Sequence, residues 1–251
     1  MSKIIPLILI ALSISLPATF LVSIGAFAAH PLITDDTGTQ GAGKFQIEVN
    51  GEYVNEGGNS ETVLGGTLSA GALENVDVVL GVPYVFLREE DEAGDRVSEN
   101  GLSDISLEVK WRFYENEGLG FAFKPGITFA TGNEDKGLGD GKPSYSLFFI
   151  TTKKMAKINL HLHLGYIRNR EELCDIWHYS LAVEYAATKN LNIVGNIGGE
   201  TNPDKESNIH PLFLLSGVIY KVTDSFDVDF GVKTGLSKAE ADYNRKRGRI
   251  P

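Results

Sequence analysis

The segment DISLEVKWRFY, Asp104 to Tyr114, places Ile105, Leu107, Val109, Trp111 and Phe113 on one set of alternate positions. Asp104, Ser106, Glu108, Lys110 and Arg112 take the other set. Side chains of a β-strand point alternately to opposite faces, so this stretch has one apolar and one charged face. The same alternation recurs along the chain. It predicts strands over 44–53, 62–73, 76–87, 104–114, 119–130, 144–152, 158–167, 177–185, 191–199, 212–222 and 226–236, and no helix among them. Pro83 and Pro125 fit two of these poorly, because proline donates nothing to a ladder.

The connections alternate too. Residues 74–75, 115–118, 155–157, 188–190 and 223–225 form short turns, whereas 55–61, 88–100, 131–143, 169–174 and 200–210 form longer polar loops. Short turns at one end and long loops at the other are the layout of an up-and-down outer-membrane barrel. With the short turns in the periplasm, Tyr53, Tyr84, Phe86, Phe129, Tyr145, Tyr166 and Trp177 gather near the outer strand ends. Phe45, Trp111, Phe113, Phe121, Tyr185, Tyr220 and Phe226 gather near the inner ends, giving the two aromatic belts of a bilayer-spanning barrel. A soluble barrel or sandwich is the rival, since its inner face is also apolar. Alternation alone does not orient the faces; the loops and belts put lipid on the apolar side. The expected fold is all-β, an antiparallel up-and-down transmembrane β-barrel of about 12 strands.

The opening of the chain has Lys3, a long apolar run and the small-residue site Ala26-Phe27-Ala28, the pattern of a cleaved secretory signal peptide. An uncleaved anchor helix is the alternative. No later run is long enough for a membrane helix. The net charge of −10 argues against nucleic-acid partners, and the single Cys174 excludes an intrachain disulfide. The chain divides into a signal peptide, 1–28; an N-terminal segment on the periplasmic side, 29–42, with plugging of the lumen as one of its readings; a barrel, 43–241; and a basic tail, 242–251. Membrane lipids, a small-molecule solute and the outer-membrane assembly machinery are the expected partners, and the bacterial outer membrane the expected location.

Three stretches, HPLITDDTGTQGAGKFQIEVNGEY (His30–Tyr53), GLSDISLEVKWRFYE (Gly101–Glu115) and TGNEDKGLGDGKPSYSLFFITTK (Thr131–Lys153), resemble a family of bacterial outer-membrane barrels. That family is labelled "putative MetA-pathway of phenol degradation", or simply transporter. The resemblance spans roughly His30 to Tyr243 and implies a channel for passive uptake of small aromatic or otherwise hydrophobic compounds. A structural or adhesive barrel without conductance and a soluble periplasmic binding barrel are the alternatives. The tail departs from the family. Only eleven strands are readable where an even number is needed. The twelfth would run through DYNRKRGRIP, 242–251, where one register turns Arg245, Arg247 and Arg249 to lipid at about 2–4 kcal/mol each near the midplane. The terminal aromatic usual in such barrels is missing as well. A last strand that is defective or missing, through a shifted frame or a truncation, is therefore expected, with a short periplasmic tail as the alternative.

The charged faces predict a lumen lining of Glu48, Glu52, Asp104, Glu108, Lys110, Arg112, Lys124, His161, His163, His178 and Glu184, with Asp227, Asp229 and Lys233 beside them. Lys110, Arg112 and Lys124 near Glu108 form either a charge filter or a mutually neutralising filling. A hairpin turning near Glu171 pairs position 163 with about 180, which brings His178 within diagonal reach of His163. No carboxylate of that hairpin stands at matching spacing, so polar lining rather than a metal site is expected, and no cofactor. The 131–143 loop does not match a calcium-loop pattern, and neither Gly141-Lys142 nor Gly38–Gly43 matches a nucleotide-binding loop. Ser180 shares a strand face with His178, and Ser106 lies beside Glu108. Such same-strand neighbours recur by chance, so neither catalytic residues nor an enzyme is expected.

Overall fold

The computed structural model describes residues 31–56, 59–90, 96–168, 174–202 and 209–237, together with the backbone of 7–14. It is built from thirteen strands: β1 (Leu7–Ile14), β2 (Phe45–Glu56), β3 (Asn59–Leu73), β4 (Val76–Glu90), β5 (Arg96–Leu102), β6 (Ile105–Asn116), β7 (Leu119–Phe129), β8 (Ser144–Lys154), β9 (Ile158–Arg168), β10 (Ile176–Ala186), β11 (Leu191–Glu200), β12 (Leu212–Thr223) and β13 (Phe226–Gly235). All pairings are antiparallel, and sequence neighbours pair from β6 through β13. Both β5 and β6 lie along β4, β5 at its loop end and β6 at its turn end, so together they act as one interrupted strand. With the β3–β4 pairing the sheet closes on itself into a barrel.

Solvent exposure settles which way the alternation points. Along β10, Trp177, Tyr179, Leu181, Val183 and Tyr185 are outside, while His178, Ser180 and Glu184 are buried. Trp177 is 59% exposed and His178 6%. A water-soluble protein buries the opposite set. Apolar side chains outside and polar ones inside are the arrangement a bilayer demands. Ring contacts tie the outer surface of β6, β7 and β8 together, with Phe113, Phe123 and Phe149 at centroid separations of 5.2 and 5.5 Å.

Each expected strand is present, most of them slightly longer. The loop expected over 88–100 instead contributes β5, and the connection expected over 55–61 narrows to two residues between β2 and β3. The stretch 96–102, RVSENGL, has too few apolar residues to alternate and so carries no periodic signal, yet its backbone continues the ladder with β4. A short 3-10 turn, Glu134–Lys136, lies in the 131–143 loop, capped by the Asn133 side chain and by Gly137 in left-handed geometry. The expected twelfth strand at 242–251 falls outside the described residues, as does most of the leader. In the place between β13 and β2 stands β1, with Ile10 across from Phe230 on one side and Gly51 on the other.

The β6–β7 turn has two residues, Glu117 (φ 47°) and Gly118 (φ 74°), both left-handed as a type I′ hairpin requires. Glutamate is poorly suited to that geometry, and asparagine well suited. Glu117→Asn is expected to stabilise the barrel by about 0.5–1 kcal/mol, read as a higher urea midpoint of the refolded chain; an unchanged midpoint would mean the turn is not strained.

Candidate functional site

The lumen is not empty. Residues 31–43 leave the base of β2 and cross the interior, held to the wall by side chains at every level. At the turn end, Thr39 Oγ1 donates to the Glu74 carbonyl at 2.9 Å, and the Gln40 amide donates to the Asp77 carboxylate at 3.0 and 3.1 Å. Further in, the Thr37 amide donates to Thr152 Oγ1 at 3.0 Å. On the far wall, Asn196 Oδ1 accepts the amides of Ile33 (2.7 Å) and Thr34 (3.0 Å). Glycines on the wall make room for this path. A Cβ at Gly71 would overlap the Gly41 carbonyl, and one at Gly120 the Thr37 hydroxyl. At Gly217 a Cβ would lie 2.8 Å from Pro31 Cγ.

Asp35 sits at the centre of the crossing. Its carboxylate accepts from Lys110 Nζ at 2.8 Å and from Lys124 Nζ at 2.9 Å. Lys124 also lies 3.4 Å from Glu108, and Lys110 lies 3.8 Å from Asp36. Burial pushes the Asp35 pKa up, but the two ammonium groups outweigh it and hold the carboxyl well below the usual carboxylate range. Two lysines converging on one acid from adjacent strands follow from the β6–β7 register and the shared inward face.

The other lining residues predicted from the sequence face inward but do not form one cluster. Glu48 accepts from Gln46 Nε2 at 3.1 Å. Glu52 is half-buried on the same face of β2. Arg112 lies at the turn end, 3.1 Å from Glu115, apart from the two lysines. Asp104 lies between β5 and β6, where it accepts the amides of Gly132 and Asp140 at 2.8 Å each and ties down the 131–143 loop. His161 Nδ1 is 3.0 Å from Thr152 Oγ1, and its Nε2 is 3.5 Å from Glu184. His163 packs between the rings of Phe148 (4.5 Å) and His178 (5.2 Å), with no hydrogen-bond partner on either nitrogen among the described residues. His178 and His163 come together, but His161 turns to Thr152, and among the described residues no group of three His, Cys, Asp or Glu side chains is placed to hold a metal ion.

Sequence reasoning missed two features. One is the set of lumen contacts made by residues 31–43, which carry no periodicity. The other is apolar lining: Leu32 of the segment packs with Ala182, Val194, Phe213, Leu215 and Ile219, and Leu138 of the long loop packs with Val63, Val85 and Leu87. Phe213 and Leu215 alternate with Leu214 on β12, an apolar residue on both faces that hides which set points inward.

A family model described as "Putative MetA-pathway of phenol degradation" matches residues 28–249. No curated protein matches the sequence. Among solved structures, an outer membrane channel from Pseudomonas putida F1 aligns over 92% of both chains at 10% identity with a TM-score of 0.53. CdiB from Acinetobacter baumannii aligns over 94% of this chain and 60% of its own, at 7% identity and a TM-score of 0.38. Salmonella typhi OmpF in complex with daunomycin aligns over 93% and 98%, at 8% identity and a TM-score of 0.35. The first of these has the same fold, an outer-membrane barrel.

Proposed function

The chain belongs to the family described as "Putative MetA-pathway of phenol degradation", and from that premise we propose that it is an outer-membrane channel for passive uptake of small hydrophobic or aromatic compounds, gated by its own residues 31–43. The observation that carries this reading is the layering of the lumen. Towards the long loops the wall offers buried apolar side chains, Val85, Leu87, Leu138 and Phe213. Below them the Asp35–Lys110–Lys124 latch sets paired charge between the segment and the wall. An apolar mouth takes up a poorly water-soluble solute, and the charged belt beneath passes it only when the segment shifts. The outer membrane is its proposed site of action.

Uptake of radiolabelled phenol by cells that lack general porins but keep a lipopolysaccharide outer leaflet tests this function. Cells making the chain are expected to accumulate label faster than cells with empty vector, and equal rates would reject the cargo class. The latch also sets a pH dependence. A carboxylate with a depressed folded pKa contributes stability above its unfolded pKa and loses it only as pH falls through the folded value. Asp35 therefore keeps the segment docked through mild acid. Single-channel conductance at about pH 5 is expected to match that at about pH 7.5; a rise on acidification would assign the gate to another group.

A further inference from the structure

Ser180, His178 and Glu200 are joined in one line inside the lumen. His178 Nε2 lies 3.0 Å from Ser180 Oγ, and His178 Nδ1 lies 2.9 Å from Glu200 Oε1. The geometry follows from the strands. His178 and Ser180 are alternate residues on the inward face of β10, and Glu200 is the direct cross-strand partner of His178 on β11. With Glu200 as an ionised acceptor, the tautomer that serves both contacts carries its proton on Nδ1 of His178 and leaves Nε2 bare. Ser180 then donates to Nε2, and its oxygen accepts from Thr34 Oγ1 at 2.7 Å. Thr34 Oγ1 in turn accepts from Asn196 Nδ2 at 2.7 Å. A hydroxyl donating to a histidine that a carboxylate orients is the arrangement of an activated nucleophile and its base.

We infer that this constellation is a latent serine esterase site, covered by residues 31–43 and specific for small esters of apolar carboxylic acids. The covering segment marks where a substrate would lie. Leu32 fills a pocket of Ala182, Val194, Phe213 and Leu215, which takes an apolar acyl chain once the segment leaves. The Thr34 hydroxyl sits on the nucleophile and on the Asn196 amide together, at the place of a substrate oxygen. Asn196 Nδ2 thereby becomes the donor to the oxyanion. Ser180 Oγ bonds to the carbonyl carbon as its proton passes to His178 Nε2. The carbon–oxygen bond to the alcohol breaks, and His178 returns the proton to the departing oxygen. Water, deprotonated by His178, then attacks the acyl carbon, the bond to Ser180 Oγ breaks, and His178 returns the proton to Ser180 as the acid leaves. Ser180 and His178 are the catalytic residues, and Glu200 is a positioning residue.

This site rests on the gating reading only for how it opens in the living cell. The test therefore removes the cover outright. The full chain and a chain lacking residues 31–42 are refolded, checked for heat-modifiable migration, and given a fluorophosphonate probe and p-nitrophenyl butyrate. The deletion chain is expected to label at Ser180 and to hydrolyse the ester about 100-fold faster than its Ser180→Ala counterpart. Glu200→Gln in that chain lowers kcat with KM unchanged, and Glu200→Asp restores part of it. If the deletion chain does not fold, Leu32→Gly with Thr34→Gly in the full chain replaces it. A folded, uncovered barrel that labels no more than Ser180→Ala overturns the esterase. Conductance of the same samples separates the two ideas: a rise without labelling overturns the esterase alone, and labelling without a rise overturns the gate alone.

Discussion

Replacing Asp35 with lysine is expected to turn a quiet barrel into a steadily conducting one. The substitution leaves Lys110 and Lys124, both largely withdrawn from solvent, facing a third ammonium group. Removing one partner of a buried ion pair costs about 3–5 kcal/mol, and each 1.4 kcal/mol is about tenfold in a population. The open fraction should therefore rise by two orders of magnitude or more, visible in planar bilayers as long openings. Asp36→Lys is the internal control, because Asp36 stands 3.8 Å from Lys110, whereas Lys124 pairs with Asp35 and Glu108, so its effect should be far smaller. Asp35→Leu combined with Lys110→Met should restore the quiet state, since apolar side chains of similar volume replace a buried pair at little cost, while Lys124 keeps Glu108. Equal currents from the native and Asp35→Lys chains would show that the latch does not gate.

The second large effect concerns the seam. A chain beginning at residue 29 has no β1, and β2 and β13 then face each other with no strand between them. In β1 the eight residues from Leu7 to Ile14 pair with β13, and the five from Ile8 to Leu12 pair with β2. Backbone groups left unpaired in hydrocarbon cost several kcal/mol each, far beyond the stability of a domain of ordinary size. The chain 29–251 is expected to show no faster migration unboiled than boiled. The same chain with 242–251 replaced by an alternating strand ending in phenylalanine is expected to show it. A heat shift in the unrepaired chain would mean that β2 and β13 close directly or that the basic tail fills the gap. The barrel that gates is thus the chain that keeps residues 7–14 in its wall, or one whose tail supplies that strand.

The wall was legible because its physics is periodic. In β6, β9 and β10 the inward and outward sets differ in chemistry at most steps, and even the register of one hairpin could be set from its turn: Ser180 stands across from His163 as the spacing implies. The site was legible only in part. Lys110, Lys124, Glu108 and His178 could be assigned to the lumen, but their partners could not. Glu200 meets His178 through the register of β11, whose near end is glycine-rich and gives no alternation to count. Asp35, Thr34 and Leu32 lie in a stretch without secondary structure, where nothing local says which wall each will reach. Ser180 and His178 read as accidental neighbours until the third member came from another strand.

The segment that crosses the lumen also bears on the order in which the molecule can form. Apart from the seam, strands of the wall pair with strands near them in the chain, so a meander of hairpins grows with little loop-closure entropy to overcome. Thr34 and Asn196, by contrast, are separated by 162 residues, and Asp35 needs β6 and β7 already side by side. The crossing can be completed only after β11 has arrived. Folding is therefore expected to leave an unlatched, ring-like intermediate before the last slow step, and a membrane that receives the chain would hold leaky barrels for as long as that step takes.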